Sequence, residues 1–327
     1  MAKAKRWVLA ILLVALPACA QDDVLTNFKS HVQYLASDAL KGRGTGSREI
    51  RTAAEYIANQ FESVGLSPGL DQSFYQSFAR PGQAKGEVNV IGIIPAAEAA
   101  LQSLLFTAHY DAYGIGEKDA KGDSIFNGAV DNAVGVAALI ELAREFAAEK
   151  PPTQNLVFIA TAAEEGGTYG SRYYVENPVF PLSAVTVVLN IDGFNVRGAT
   201  PDYFVMPRQG VDFLDEIESV AASMGWNYES PEWVDGMNTN FDTAPFLTKG
   251  IPALTLWTGE GLKGKAGRPA RVPLDRLGRI HTPDDEINEH WNWDGVGEHL
   301  ALYKTVADFF LKNPGEISVT DPQLFKQ

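Results

Sequence analysis

The chain has 327 residues, of which 45% are hydrophobic and 21% are charged, and this composition is typical of a folded globular protein. It excludes a wholly disordered chain and a coiled coil, and the single cysteine excludes a disulfide-rich fold. The formal net charge of −14 argues against nucleic acid as the main partner, because binding phosphates needs clustered lysine and arginine.

The first 20 residues have the pattern of an export signal. A basic start is followed by the apolar run Trp7–Leu16, which is short for a transmembrane helix. Cleavage after Ala20 fits the small-residue pattern of a signal peptidase site, whereas the preceding residues resemble a bacterial lipobox that would make Cys19 a lipid anchor. An uncleaved helix belonging to the fold is the third interpretation. We expect an exported protein, periplasmic or secreted, with a signal peptide over 1–20 and a folded part over 21–327.

Apolar periodicity predicts helices that alternate with buried strands along the rest of the chain. The predicted helices are Thr26–Ser37, a helix capped by Ser47 that runs to Val64, Ala133–Ala148, Val211–Met224 and Trp293–Leu311. The predicted strands are Glu87–Ile94, Leu104–His109, Asn155–Ala162, Val185–Ile191 and Ala253–Trp257. Continuous apolar strands between helices indicate an α/β fold, with a mixed, mostly parallel central sheet that has helices on both faces. No linker-like stretch divides the chain, which predicts a single domain, and no later apolar run is long enough for a transmembrane span.

Carboxylates and histidines collect where the predicted strands end. His109 and Asp111 end one strand, Glu164 and Glu165 follow a second, and Asp192 follows a third. Ligand sites in open α/β sheets form just outside the carboxyl ends of the strands. So much negative charge in one place needs a cation to be tolerable, and so the pattern predicts a metal site at this edge.

Two more candidate ligands lie in turns. Asp131 stands at the start of a predicted helix, and His281 lies in a loop before the last helix. Taken alone, each group has a simpler explanation: Asp131 and Asn132 could cap the helix, Asp192 could cap a turn, Glu164 and Glu165 could be solvated, and His281 could be structural. The combination favours a metal centre. Histidine and carboxylate ligands without a thiol suit zinc and related divalent ions, and the number of groups indicates two ions that share a carboxylate.

These segments resemble the M28 zinc aminopeptidases of the bacterial secreted or lipoprotein type. The motifs that carry the resemblance are, in chain order, YLASDALKGRGTGS, HYDAYGIG, GDSIFNGAVDNAVG, AAEEGGTYGSRYY, NIDG, FDTAPFLTKGIPAL and IHTPDDEI. The match runs from about Tyr34 to Ile287, and the ordered set H-x-D, D-N, E-E, D and H is specific. The resemblance implies a zinc-exopeptidase fold and hydrolysis of N-terminal residues from peptides with a free N-terminus.

The resemblance also implies a ligand set for two Zn²⁺ ions per chain. Asp131 would bridge both ions. His109 and Asp192 would complete the set around one ion, and Glu165 and His281 would complete the set around the other.

Two further residues receive roles from the same resemblance. Glu164 would be the general base for the attacking water and would return a proton to the leaving amine, and Asp111 would orient the histidine of its own H-x-D motif. If the chain at Glu164 is extended, the two adjacent glutamates face different ways. Many relatives carry a tyrosine just before the last ligand, where this chain has Ile280. Tyr110 and Tyr173 are therefore the candidates for stabilising the oxyanion.

Two other functions remain as alternatives. One is a glutaminyl cyclase-like acyltransferase, since such enzymes resemble the same fold and use one zinc. The other is a non-catalytic binding protein. The complete five-ligand set favours the peptidase, and the intact Glu164 argues against a binding protein.

Overall fold

The computed structural model describes residues 18–80, 82, 86–229, 231, 234, 237, 239, 241–259, 272–273, 276–315 and 317–326. Most of the predicted export signal over 1–20 lies outside these residues, and so does the side chain of Cys19. Within the described part, no helix has the length and apolar character needed to span a membrane.

The described residues form helices at all five predicted places. The α-helices are α1 (Ala18–Leu35), α2 (Arg48–Ser63), α3 (Val134–Ala147), α4 (Tyr169–Glu176), α5 (Leu214–Ser223), α6 (Thr243–Thr248) and α7 (Val296–Lys312). Helix α1 begins eight residues or so before the predicted start, at Ala18 rather than at Thr26. The short helices α4 and α6 were not predicted.

Helix α2 shows why the predicted elements form where they do. The Ser47 hydroxyl accepts a hydrogen bond from the Ile50 amide at 3.0 Å and so caps the first turn. Ile50, Ile57 and Phe61 lie on one face of the helix and are fully or almost fully buried. The helix therefore begins at a polar cap and is held by an apolar stripe.

The strands form a mixed sheet whose centre is parallel. They are β1 (Ser67–Pro68), β2 (Tyr75–Phe78), β3 (Glu87–Ile94), β4 (Ser103–His109), β5 (Gly114–Ile115), β6 (Ile125–Phe126), β7 (Asn155–Thr161), β8 (Val185–Asn190), β9 (Asp202–Met206), β10 (Asn227–Tyr228) and β11 (Ala253–Thr258). The order across the large sheet is β1-β3-β7-β4-β8-β11-β9-β10, with β2 also paired to β3. Strands β7, β4, β8 and β11 are parallel to their neighbours within this group, and β3 and β9 flank them antiparallel. This arrangement confirms the predicted fold class.

Both faces of the sheet are covered. Alternate residues of β4 belong to different cores: Leu104 and Phe106 pack with α1, α2, α3 and α7, whereas Leu105 packs with residues of α4 and α6. Because neighbouring strand residues point to opposite faces, this alternation places helices on each side. Because both faces pack against a core, the central strands are buried along their whole length and mostly apolar.

Helix α7 joins two strands below the carboxyl edge of the sheet. The buried hydroxyl of Tyr303 donates to the Asn190 carbonyl of β8 at 2.7 Å and accepts from the Leu256 amide of β11 at 3.1 Å. One turn earlier, His299 stacks on Phe194 with ring centroids 4.1 Å apart. These contacts support the chain on either side of Asp192.

Candidate metal centre

The carboxyl ends of three adjacent strands deliver the predicted site residues to one edge of the sheet. His109 is the last residue of β4, Glu164 and Glu165 follow β7, and Asp192 follows β8. Strand β4 lies between β7 and β8 and is parallel to both, so that the three ends meet. The sheet topology therefore explains why residues distant in sequence become neighbours.

Five of the predicted site residues form two groups of possible metal ligands, and the two groups share the carboxylate of Asp131. In the first group, His109 Nε2 lies 3.1 Å from Asp131 Oδ1 and 3.6 Å from Asp192 Oδ1. In the second, His281 Nε2 lies 2.8 Å from Asp131 Oδ2 and 3.5 Å from Glu165 Oε2. Within each group, one candidate ligand atom from each residue lies within 4.8 Å of the others. Asp131 presents a different oxygen to each group, which is the arrangement that a bridging ligand needs.

The donor set fits a divalent metal ion. Histidine nitrogen and carboxylate oxygen are ligands that zinc accepts, and no thiol is among them. Glu165 Oε1 is buried and has no hydrogen-bond partner among the described residues. Leaving such an oxygen buried and unpaired costs free energy that a cation would offset.

The electrostatics of the site indicate the same need for positive charge. Burial raises the pKa of Glu164 to about 10 and that of Glu165 to about 8, because their charged forms lose hydration among other carboxylates. Burial opposes the charged form of His109, yet the Asp192 and Asp131 carboxylates raise its pKa well above the ordinary value. The hydrogen bond to Asp131 likewise raises the pKa of His281. Protons thus supply the positive charge that a metal ion would bring.

Asn132 fixes the turn that presents Asp131. Its Nδ2 donates to the Ile191 carbonyl at 2.9 Å, and its Oδ1 accepts from the amides of Gly135 and Gly193 at 3.1 and 2.9 Å. These bonds tie the turn to the start of α3 and to the segment that carries Asp192. The sequence allowed Asn132 to cap the following helix, and its bond to the Gly135 amide at the start of α3 agrees with that role. Its bonds to Ile191 and Gly193 were not predicted.

Asp111 positions the two glutamates more directly than it contacts the histidine. Its carboxylate accepts hydrogen bonds from the amides of Glu164 at 3.0 Å and Glu165 at 3.3 Å. The same carboxylate is 3.8 Å from His109 Nδ1, which lies nearer, at 3.3 Å, to the Asp111 backbone carbonyl. Asp111 therefore links the H-x-D motif to the E-E motif.

The chain at the two glutamates is a tight turn, not the extended segment that would have explained their divergence. The amides of Gly167 and Thr168 both donate to the Glu164 carbonyl at 2.8 Å. Both glutamate side chains nevertheless line the cavity, while only Glu165 belongs to a ligand group. Glu164 is thus the glutamate left for a role other than metal binding.

A cavity of about 740 Å³ opens over the metal-ligand groups. The described apolar side chains in its wall include Phe194, Phe204, Phe241, Trp257, Leu277 and Ile280. The lining also includes the charged side chains of Asp131, Glu164, Glu165, Asp192 and His281. The cavity therefore combines charged groups suited to chemistry with apolar groups suited to binding a side chain.

The two tyrosines proposed from the sequence do not line this cavity. The Tyr110 hydroxyl is turned away and donates to the Val88 carbonyl at 2.7 Å, and Tyr173 stacks on Phe78 with centroids 5.3 Å apart. Tyr113 lines the cavity instead, with its ring centroid 4.8 Å from that of His281. Burial and the nearby Glu165 carboxylate raise the pKa of the Tyr113 phenol. Its position two residues after Asp111 was the available sequence signal, and it was missed.

Arg43 is a second residue that sequence reasoning missed. It is fully buried, and its guanidinium donates to the carbonyls of Tyr110 at 2.8 Å, Asn127 at 2.7 Å and Gly128 at 2.9 Å, as well as to that of Leu35. Burial lowers the pKa of Arg43 to about 10, while nearby carboxylates, including those of the site, oppose this shift. Arg43 thus holds the backbone before Asp131 and places a positive charge beneath the carboxylates.

Comparison with known proteins connects these features to one family. The model of "Peptidase family M28" matches residues 89–307, which is more than half of the chain. Leupeptin-inactivating enzyme 1 of Streptomyces exfoliatus is 28% identical over 251 residues, which cover 75% of this chain and 52% of that protein. The chain therefore spans about half the length of this curated relative.

Solved structures share the fold at low sequence identity. BSAP, a zinc aminopeptidase from Bacillus subtilis, superposes with a TM-score of 0.64 at 15% identity, covering 87% of this chain and 95% of that one. The glutaminyl cyclase of Porphyromonas gingivalis superposes with a TM-score of 0.59 at 18% identity, covering 88% and 98%. The same architecture thus occurs in proteins described as a peptidase and as a cyclase, and the fold alone does not choose between them.

Proposed function

The chain belongs to peptidase family M28, and on that premise we propose that it is an aminopeptidase that uses two zinc ions per chain and Glu164 as general base. The observation that carries the proposal is the sharing of Asp131 between the two ligand groups. His109, Asp192, Glu165 and His281 would provide the other ligands. When bound, zinc polarises the peptide carbonyl as a Lewis acid and makes a water molecule acidic enough to lose a proton near neutral pH.

The position of Glu164 supports its role as the group that moves the proton in this reaction. It lines the cavity, lies outside both ligand groups, and has its backbone held by Asp111. Bound cations would oppose the raised pKa of Glu164 and favour its ionised form. As the water oxygen bonds to the carbonyl carbon, the Glu164 carboxylate takes a proton from that water. When the C–N bond breaks, Glu164 returns the proton to the nitrogen of the leaving peptide.

The walls of the cavity support an exopeptidase that acts on apolar N-terminal residues. The carboxylates that line the cavity attract a free α-amino group, and the aromatic side chains of Phe241 and Trp257 suit an apolar side chain.

We also propose that residues 1–20 direct export of the protein, either as a cleaved periplasmic or secreted form or with a lipid anchor at Cys19.

A glutaminyl cyclase-like acyl transfer is the second candidate, since a glutaminyl cyclase shares the fold. As stated in the sequence analysis, glutaminyl cyclase-like enzymes use one zinc ion. The two ligand groups around Asp131 therefore favour the peptidase.

The test uses the purified chain, loaded with zinc and desalted. We expect two zinc ions per chain by elemental analysis and hydrolysis of aminoacyl p-nitroanilides. Glu164→Gln should keep both ions and lower kcat by about 10²- to 10⁴-fold, which is the usual contribution of a general base. Glu176→Gln is the matched control, because Glu176 is exposed and pairs with Lys249. One zinc per chain, with cyclisation of an N-terminal glutamine and no hydrolysis, would instead support the cyclase.

A further inference from the structure

We propose that the Tyr113 hydroxyl is the donor that stabilises the carbonyl oxygen as it gains negative charge. This inference rests on the proposed aminopeptidase function and assigns a catalytic residue to it. The phenol donates a hydrogen bond and transfers no proton, so the proton path through Glu164 is unchanged. Preorganised donors of this kind act only as charge develops and are worth a large part of the rate in acyl-transfer enzymes.

The first support is that Tyr113 lines the cavity and the other candidate tyrosines do not. Tyr113 is the only tyrosine among the described residues that line the cavity. Tyr110 and Tyr173 are held elsewhere by Val88 and Phe78. Ile280, in the same wall, has no polar side-chain atom to donate.

The second support is how the ring of Tyr113 is held. Its centroid lies 4.8 Å from that of His281 and 6.0 Å from that of Phe126, and the side chain remains about half exposed toward the cavity. Two ring contacts restrict the phenol ring, while about half of the residue stays exposed and it lines the cavity. A donor must be held in this way if it is to act without reorganisation.

The third support is the position of Tyr113 among the groups of the site. It lines the same cavity as Glu164 and Glu165, and Glu165 belongs to the same candidate ligand group as His281. Glu165 directly follows the proposed base, Glu164. A carbonyl bound between that ligand group and Glu164 would therefore lie in the cavity that Tyr113 also lines.

The experiment compares the zinc-loaded wild-type chain with Tyr113→Phe, which keeps the ring and removes the hydroxyl. Tyr34→Phe is the matched control, because Tyr34 is a partly exposed tyrosine that stacks on Tyr56, away from the cavity. The measurements are kcat and KM on an apolar aminoacyl p-nitroanilide, zinc per chain, and affinity for the phosphonic acid analogue of leucine, whose tetrahedral phosphorus mimics the addition intermediate.

We expect Tyr113→Phe to lower kcat by about 100-fold, with KM and zinc content unchanged, and to weaken binding of the phosphonate. A kcat within twofold of the wild-type value would overturn the proposal. Loss of zinc in Tyr113→Phe would also overturn it, because the hydroxyl would then be positioning Glu165.

Failure of the proposed function gives a different result. A wild-type chain that binds zinc and the phosphonate but hydrolyses no aminoacyl substrate contradicts the aminopeptidase, while phosphonate affinity still tests Tyr113. A wild-type chain that neither hydrolyses substrate nor binds the phosphonate contradicts both.

Discussion

The side chain of Asp285 holds the backbone of Asp131. Its Oδ2 accepts a hydrogen bond from the Asp131 amide at 3.1 Å, and its Oδ1 accepts from the preceding amide of Val130 at 2.8 Å. Asp285 is buried, and it lies four residues after His281 in the same loop. One loop therefore supplies a candidate ligand and also orients the carboxylate that both ligand groups share.

Asp285→Asn should weaken zinc binding by about 10- to 100-fold, as is usual for groups that orient metal ligands. The amide has one oxygen and cannot accept both backbone hydrogen bonds in the same way. Zinc affinity is measured by competition with a chelator. Asp284→Asn is the control, because this neighbouring side chain is half exposed and pairs with Lys121. Equal affinities for the two variants would contradict the role of Asp285.

Single substitutions should separate the two ligand groups. We expect Asp192→Ala and His281→Ala each to retain one zinc per chain, because each removes a ligand from a different group. Asp131→Ala should retain neither ion, since both groups lose a member. Elemental analysis after desalting measures the outcome, and His290→Ala is the exposed control. Two zinc ions in Asp131→Ala would remove the bridging assignment.

Arg43→Lys should destabilise the fold although it keeps the charge. An ammonium group cannot reach the several carbonyls that the guanidinium fork contacts. Each buried carbonyl left without a donor costs about 1–3 kcal/mol, so we expect the free energy of unfolding to fall by several kcal/mol. Urea denaturation measures the change, with the exposed Arg48→Lys as control. Wild-type stability in Arg43→Lys would show that the charge alone matters.

The metal-free and zinc-loaded chains should respond to pH in opposite ways. Burial raises the pKa of Asp242 and Asp285 to about 6 and that of Glu165 to about 8, so the folded chain holds protons that the unfolded chain has released. Stability then falls as pH rises through these raised values, by about 1.4 kcal/mol per pH unit for each such proton. We expect the Tm of the metal-free chain to fall from about pH 4, near which the unfolded carboxyl groups titrate, to about pH 8, with Asp242 and Asp285 contributing up to about pH 6.

Zinc reverses the trend because its ligands must lose their protons before they bind. The Tm of the zinc-loaded chain should therefore rise across the same range. Asp242→Asn should make the decline of the metal-free chain shallower, since it removes one of the titrating groups. A Tm that rises with pH in the metal-free chain would contradict the expected sign.

The central strands could be predicted because two cores make the same demand on each of them. Strand β4 is buried on both faces, so every residue from Leu104 to Ala108 except Thr107 is apolar, and the pattern is continuous. Two-residue strands such as β1 and β10 carry no comparable signal. They form only because a longer neighbour supplies the hydrogen bonds.

Some residues of the candidate site are marked by a local sequence pattern, whereas others are recognised only from contacts between distant segments. The strand ends at His109 and Asp192 indicated a site, because parallel topology alone brings such ends together. The partners of Arg43 and Asp285 depend on contacts between segments far apart in the chain, so no local pattern marks them. Tyr113 was missed for a similar reason, since only the fold shows that it faces His281.

The hydrogen bonds of Tyr303 also set an order in which the molecule can be completed. A ribosome makes the strands that lead to His109 and Asp192 long before it reaches α7. Until Tyr303 emerges, the Asn190 carbonyl lacks its hydroxyl donor, and the ring of His299 is absent from the wall beside Phe194. A nascent chain that lacks α7 therefore has an incomplete cavity. The cavity can be completed only after α7 has been synthesised.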